Sequence, residues 1–436
     1  MKSFLCFTGL LLMAVLWACQ KQSPSIANPK DYAVYLTDTQ SANQLLETYS
    51  ADIAFWNSRL QADPGNYVFM LKKAYLLTSR FQASGQVEDL YQADTLLHGV
   101  NAKLRNSEPS VFYTLSQSAV TRHQFRQAMD YTQQGMQAGG QEYVTNLLTF
   151  DVSMELGQYL LARQSLHQLK DKTAFDYLIR KAKLKDHEGD LDSAIVLMEQ
   201  AFDKVKNLGR KSLYCWTLSN LGDMYGHANR IEDSYKAYLE VLETDPGYHY
   251  ALKGIAWIAF SHDRNTAEAR RIYTHLLAQT HLPDLYLNLA EIAAYEGNSA
   301  AQEKNIAIFL TEVLKPKYGD MYNKYLVNLY TGQCKNYKAA LQIAQREVEN
   351  RPTAETYDLL AWSYLHQGNV QKALALAENR IEGRTFEPQV FYHLGVIYKA
   401  NQQPDKARFY LEKALESEYE IGPALTNAVR AVLNDK

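Results

Sequence analysis

Apolar residues recur at helical spacing along most of this chain, which predicts helices almost throughout. Near the C-terminus the pattern also repeats as a block. Tyr357, Leu360, Ala361, Tyr364 and Ala373 are followed 34 positions later by Phe391, Leu394, Gly395, Tyr398 and Ala407. The order is large aromatic, Leu, small, Tyr, then a small residue in a second apolar run. A block of that length has room for two short helices and a turn, and such a unit buries its apolar face only by stacking on another. The pattern therefore predicts stacked helix–turn–helix units.

The same register extends upstream. The small residue at which a unit's first helix meets its partner falls at Ser116, Phe150, Ala182, Gly222, Ala256, Ala290, Val327, Ala361 and Gly395, in steps of 34, 32, 40, 34, 34, 37, 34 and 34. A second small residue is expected 12 positions on, where the paired helices approach closely; Ala128, Ala162, Ala194, Ser234, Ala339, Ala373 and Ala407 meet this, while Glu268 and Gln302 do not. Ala269 stands one place late, which predicts a one-residue insertion in the unit beginning near His249. Gly157, Gly189 and Gly368 mark turns between paired helices. Asp63-Pro64-Gly65-Asn66 and Asp245-Pro246 mark breaks between units. Before Asp63, the residues Leu45, Leu46, Tyr49, Ile53, Trp56 and Leu60 are spaced for one helix, and the next unit starts near Tyr67 with Ala93 in the small-residue role. Leu425, Val429 and Leu433 predict a last helix that covers the apolar end of the array.

This pattern resembles the tetratricopeptide repeat family, most fully at Leu218, Leu221, Gly222, Tyr225, Ser234, Tyr238 and Pro246. The resemblance implies an all-α fold, a right-handed α-solenoid of roughly ten units. The expected parts are a signal segment (1–18), a flexible tether (19–30), N-terminal helices with degenerate units (31–108), the repeat array (109–421) and a capping helix (422–436). In this family the first helix of each unit faces a concave groove, so the resemblance also implies a stripe of groove-facing side chains. Trp216, Asp223, Tyr250, Lys253, Trp257, Phe260, Glu291, Asp358, Trp362 and Tyr392 fall on it. Trp216, Tyr250, Trp257 and Phe260 place four aromatics on two consecutive units. With Lys253, Trp362 and Tyr392 they are the expected contact surface for an extended peptide or a partner helix. The bland counterpart is a tightly curled superhelix that buries these rings against neighbouring helices. Lys324 and Asn328 match part of the two-carboxylate clamp of chaperone-binding members, but its remaining places read Leu359, Gln389 and His393, so that partner is not supported.

The N-terminus changes the picture of location. Lys2 gives a positive start, and the apolar run from Phe4 to Ala18 is too short to span a bilayer comfortably. Leu16-Trp17-Ala18-Cys19 resembles a bacterial lipobox, which implies cleavage before Cys19 and acylation of that residue; an ordinary secretory signal is the alternative. Gln20 is not the Asp of the enterobacterial inner-membrane retention pattern, which points to the outer membrane, facing the periplasm. Cys215 and Cys334 lie more than three repeats apart in a solenoid, too far to bridge, and read as small packing residues. The net charge of -3 offers no field for nucleic acid. No phosphate loop, His-Glu-x-x-His, Cys-x-x-Cys or Gly-x-Ser-x-Gly occurs, so neither an enzyme, a cofactor nor a metal site is expected.

The functional expectation is a lipid-anchored periplasmic scaffold that holds a protein or peptide partner in its groove, by analogy with repeat lipoproteins of envelope assembly and secretion. Two alternatives stay open. One is a glycan-binding lipoprotein of the starch-utilisation SusD type, a family with long insertions of which this chain shows few. The other is an enzyme with a site built across repeats.

Overall fold

The computed structural model describes residues 25–37 and 40–435. Its elements are α1 (Pro29–Thr37), α2 (Gln40–Ala62), α3 (Tyr67–Ser84), α4 (Glu88–Lys103), α5 (Pro109–Thr121), α6 (Phe125–Gln137), α7 (Glu142–Glu155) and α8 (Tyr159–Gln168). Then follow α9 (Phe175–His187), α10 (Leu191–Val205), α11 (Lys211–His227), α12 (Ile231–Thr244), α13 (His249–Trp257), α14 (Thr266–Gln279), α15 (Asp284–Tyr295) and α16 (Ser299–Val313). The chain closes with α17 (Asn323–Thr331), α18 (Tyr337–Asn350), α19 (Ala354–His366), α20 (Val370–Leu376), α21 (Pro388–Ala400), α22 (Pro404–Leu415) and α23 (Glu418–Asn434). From α3 to α22 these form ten antiparallel pairs stacked into an all-α solenoid.

Local sequence sets the boundaries. Asn66 caps α3 by accepting from the Val68 and Phe69 N–H groups, and Thr353 with Thr356 forms a reciprocal capping box on α19. Gly189 and Gly368, at φ 78°, close the turns after α9 and α19, where a left-handed residue lets the chain reverse. Before the first pair, α2 lays Leu46, Tyr49, Ile53, Trp56 and Leu60 half-buried along one face, while Leu45 is exposed. Trp56 reaches Phe69 of α3 at 5.4 Å between rings.

All nine register positions from Ser116 to Gly395 are buried. So are Ala128, Ala162, Ala194, Ser234, Ala373 and Ala407 on the second helices. In α18 the buried small residues are Ala340 and Ala344, with Ala339 only half-buried. The late alanine in the irregular unit has a structural cause. After Trp257 the helix widens into a π turn at Ile258–His262, where the Asp263 N–H bonds the Ile258 carbonyl. Such a turn holds one residue more than an α turn. Ala269, fully buried, then takes the place that Glu268 would have had. Cys215 is buried as read, but Cys334 is exposed on the turn after α17.

The solenoid curls far enough for distant units to touch. The His281 N–H bonds the Ser84 carbonyl at 2.7 Å, and Lys317 pairs with Glu88 at 2.6 Å. Further on, Asn350 donates to the His123 carbonyl at 2.7 Å and Arg351 pairs with Glu155 at 2.8 Å.

Segments near both ends of the described chain meet at the π turn after α13. The segment read as a flexible tether is docked from Ser25 onward. Asp263 accepts from the Ile26 and Ala27 N–H groups at 3.0 and 2.8 Å and from Ser25 Oγ at 2.8 Å. Tyr32 is fully buried, its hydroxyl on Glu268 at 2.9 Å. Burial works against the Asp263 charge, but His262 and the two backbone donors hold its carboxyl below the usual range. Cys19 and the signal segment lie outside the described residues. Helix α23 covers α21 and α22, as a cap must, and Lys399 of α21 bonds the Val432 carbonyl at 2.8 Å near its end. Its first turn also reaches back across the groove to α11, α13 and α15. Among the described residues, no helix is long and apolar enough to cross a membrane.

Candidate functional site

The groove-facing stripe divides into an exposed part and a covered part. Trp216 on α11 and Tyr250 on α13 are 40% and 49% exposed. The Trp216 ring stands edge-on to Phe175, 6.3 Å away, and the Tyr250 hydroxyl donates to Asp223 at 2.7 Å. Trp257 is half-buried because the C-terminal segment lies on it. Its Nε1 and Ser261 Oγ both donate to the Tyr419 carbonyl, at 3.1 and 2.5 Å.

Three expected contact residues take other roles. Phe260 does not face the groove. The π turn rotates it into the core at 1% exposure, where it packs edge-on to Trp257 and Tyr295. Trp362 is buried as well, because the next unit roofs it: His393 stacks on it at 4.0 Å, and its Nδ1 is hydrogen-bonded to the Asp358 carboxyl at 2.7 Å. Lys253 is half-buried and engaged with Asp284 of the following unit. Burial opposes its charge, but Asp284 holds the ammonium above its ordinary range. Tyr392 is half-buried with its ring 5.8 Å from Trp362.

Beneath Tyr250 lies a cavity of about 430 Å³ between α11, α13, α15 and the first turn of α23. Tyr250 and Tyr325, exposed at 49% and 42%, form its rim, and Tyr238 and Tyr273, at 3% and 1%, its floor. Trp257 and Tyr419 make its sides. Asp223 receives the hydroxyls of both Tyr238 and Tyr250. Burial still raises its carboxyl above the usual range. Glu420 is also raised, again chiefly by burial. Behind Trp257, burial alone pushes Glu291 up to about 8.

Close approach of rings to backbone makes this arrangement possible. A Cβ on Gly254 would stand 2.4 Å from the Tyr238 ring, and one on Gly226 would stand 2.8 Å from the Tyr419 ring. At Gly422 the backbone turns through φ 75°, and a Cβ would meet Glu291 Oε1 at 2.6 Å and the Trp257 ring at 2.8 Å. Sequence reasoning placed Asp223, Tyr250, Lys253 and Trp257 on one stripe. It missed Tyr238 and Tyr273, which come from second helices, and Tyr419. The available signal was glycine at 254, in the middle of α13, and at 226, in the last turn of α11, where closely packed rings leave no room for a side chain.

Residues 388–420, spanning α21 and α22, match the tetratricopeptide repeat family model. No curated protein matches the chain. Among solved structures, the chain is similar to a tetratricopeptide repeat protein from Parabacteroides merdae ATCC 43184, with 17% identity, 60% of this chain and 98% of that chain covered, and a TM-score of 0.34. It is also similar to a chain of the APC/C hetero-tetramer Cut9–Hcn1, with 14% identity, 94% and 99% coverage and a TM-score of 0.35. A third is the human IFIT1 dimer, with 13% identity, 90% and 94% coverage and a TM-score of 0.44. The fold assignment rests on the family match and on the helix pairs themselves. The match identifies residues 388–420 as a tetratricopeptide repeat, and nine further helix pairs of the same antiparallel build precede it.

Proposed function

We propose that this chain is a lipid-anchored scaffold of the bacterial envelope, held through Cys19 at the periplasmic face of the outer membrane, that captures a protein or peptide partner. Repeat solenoids present extended concave surfaces, so a protein-interaction scaffold is the role the fold supports. The observation that carries the choice of surface is the exposure of Trp216 and Tyr250, at 40% and 49%, on adjoining first helices. Large aromatics of this kind supply most of the energy in protein interfaces. The rest of the expected stripe is covered by the chain itself. Lipid anchoring is supported by the sequence at Leu16–Cys19 alone.

The test is affinity capture from envelope membranes with the lipidated chain, read by mass spectrometry. One stoichiometric protein partner is expected, lost when Trp216→Ala and Tyr250→Ala are combined and the circular dichroism is unchanged. Hot-spot aromatics contribute about 2 kcal/mol or more each, enough to remove capture. Retention of the partner by that double variant would sink the choice of surface. Enrichment of no protein, together with binding on a glycan array, would replace the scaffold reading with the SusD-type one.

A further inference from the structure

The cavity beneath Tyr250 is a site in its own right. Its chemistry differs from that of the exposed row above it. The ammonium that lines it, Lys253, is engaged by Asp284, so it leaves no free positive charge inside. Asp223 has only the neutral hydroxyls of Tyr238 and Tyr250 as side-chain donors. Glu420 adds a second carboxylate, and His227 is exposed on the lining. Two buried polar atoms on the lining have no hydrogen-bond partner: Tyr273 Oη, on a side chain 99% buried, and Asn288 Oδ1. A buried polar group left unpaired costs stability, so each such atom calls for a partner inside the cavity. Six aromatic side chains line the space, Tyr238, Tyr250, Trp257, Tyr273, Tyr325 and Tyr419, and the π surfaces of such rings attract cations. An excess of carboxylates, unpaired lone pairs and a lining of aromatic side chains all call for the same occupant: a cation bearing N–H donors.

We propose that this cavity binds an alkylammonium group, inserted between the aromatic rings with its charge toward Asp223 and Glu420 and its N–H groups toward Tyr273 Oη and Asn288 Oδ1. The group comes either on a free amine or on the side chain of a lysine. At about 430 Å³ the cavity admits a short aliphatic amine whole, or one lysine side chain entering past Tyr250 and Tyr325. The site stands independently of partner capture by Trp216 and the outer face of Tyr250.

The experiment is isothermal titration of the purified, delipidated chain at neutral pH with three probes: 1,5-diaminopentane, Nα-acetyl-lysine methylamide and neutral 1,5-pentanediol. Saturable binding of at least one amine is expected, weakened by salt, with no binding of the diol. Tighter binding of the diamine assigns the site to free amines, and tighter binding of the blocked lysine assigns it to a polypeptide side chain. Tyr273→Phe removes one hydroxyl and leaves the packing intact, and it should weaken the amine by about tenfold. Asp223→Asn should weaken it further. Circular dichroism confirms that each variant is folded. Absence of saturable binding of either amine to the folded native chain overturns the proposal. So does equal binding of the diol, or an affinity unchanged in both variants.

Discussion

The pair α21–α22 and the pair α13–α14 are cut to one register and used differently. In α21–α22 a Cβ on Gly395 would lie 2.5 Å from Leu411 Cγ, so the two helices lock directly against each other. Tyr398 and Tyr410 stack at 5.6 Å and both donate to Glu382 of the preceding unit. These contacts join near neighbours, as expected of a quasi-one-dimensional array. In α13–α14 one additional residue in the π turn redirects the side chains that follow. Ser261 and Trp257 hold the Tyr419 carbonyl from the far end of the chain, while Asp263 holds Ile26 and Ala27 from the near end. The regular pair extends the scaffold. The irregular pair holds residues 25–27 and the first turn of α23, forms a wall of the cavity and turns Phe260 out of the aromatic stripe.

The sharpest way to break this contrast is to place the same substitution in both regions. Gly422 and Gly368 have nearly the same φ, 75° and 78°, but a Cβ on Gly368 meets nothing within 4 Å. Gly368→Ala should therefore cost only the strain of a left-handed alanine, about 1–2 kcal/mol. Gly422 has ψ 168°, a region essentially open only to glycine, so Gly422→Ala carries about 1–3 kcal/mol of backbone strain plus contacts at 2.6 and 2.8 Å with Glu291 and Trp257. Overpacking adds about 1–3 kcal/mol. The stability difference is read by urea denaturation. Limited proteolysis should cut Gly422→Ala near Glu418 and leave Gly368→Ala whole. Equal stability and equal cutting would mean that the C-terminal turn is not seated on α13.

A smaller effect concerns acid and base. Burial raises the Glu291 carboxyl from its ordinary 4.5 to about 8. The folded chain thus holds a proton there that the unfolded chain gives up between those two values. Stability should fall as pH rises through about 4.5 to 8, since the unfolded state binds fewer protons in that window. Glu291→Gln, which cannot ionise, should flatten that slope, while substitution of the exposed Glu232 of α12 should not. Thermal melts across the pH range measure it.

Much of the fold was legible because its signal is periodic. Every register residue from Ser116 to Gly395 is buried, and a single misplaced alanine, Ala269, disclosed the extra residue of the π turn. What that residue does to its neighbours was not legible. Phe260 stands three positions after Trp257, on the same side of an α-helix, but the wider π turn carries it round to the core. Trp362 lies on the right stripe, yet its cover is His393 of the next unit, and ring stacking between units leaves no mark in either helix's own pattern. The returns of residues 25–28 and 419–422 were hidden for a similar reason. They are contacts of short stretches about 160 or more residues from their partners, made by backbone groups that every sequence has.

The most direct test compares the indole N–H signals of Trp216 and Trp257 by hydrogen exchange, using NMR. Trp216 is exposed, and Trp257 Nε1 is bonded to the Tyr419 carbonyl. In the full chain the Trp257 indole should exchange many-fold more slowly than that of Trp216, and truncation before Glu418 should remove the difference. If both indoles exchange equally fast in the full chain, the C-terminal turn does not cover the groove, and the division into an exposed row and a lined cavity is contradicted.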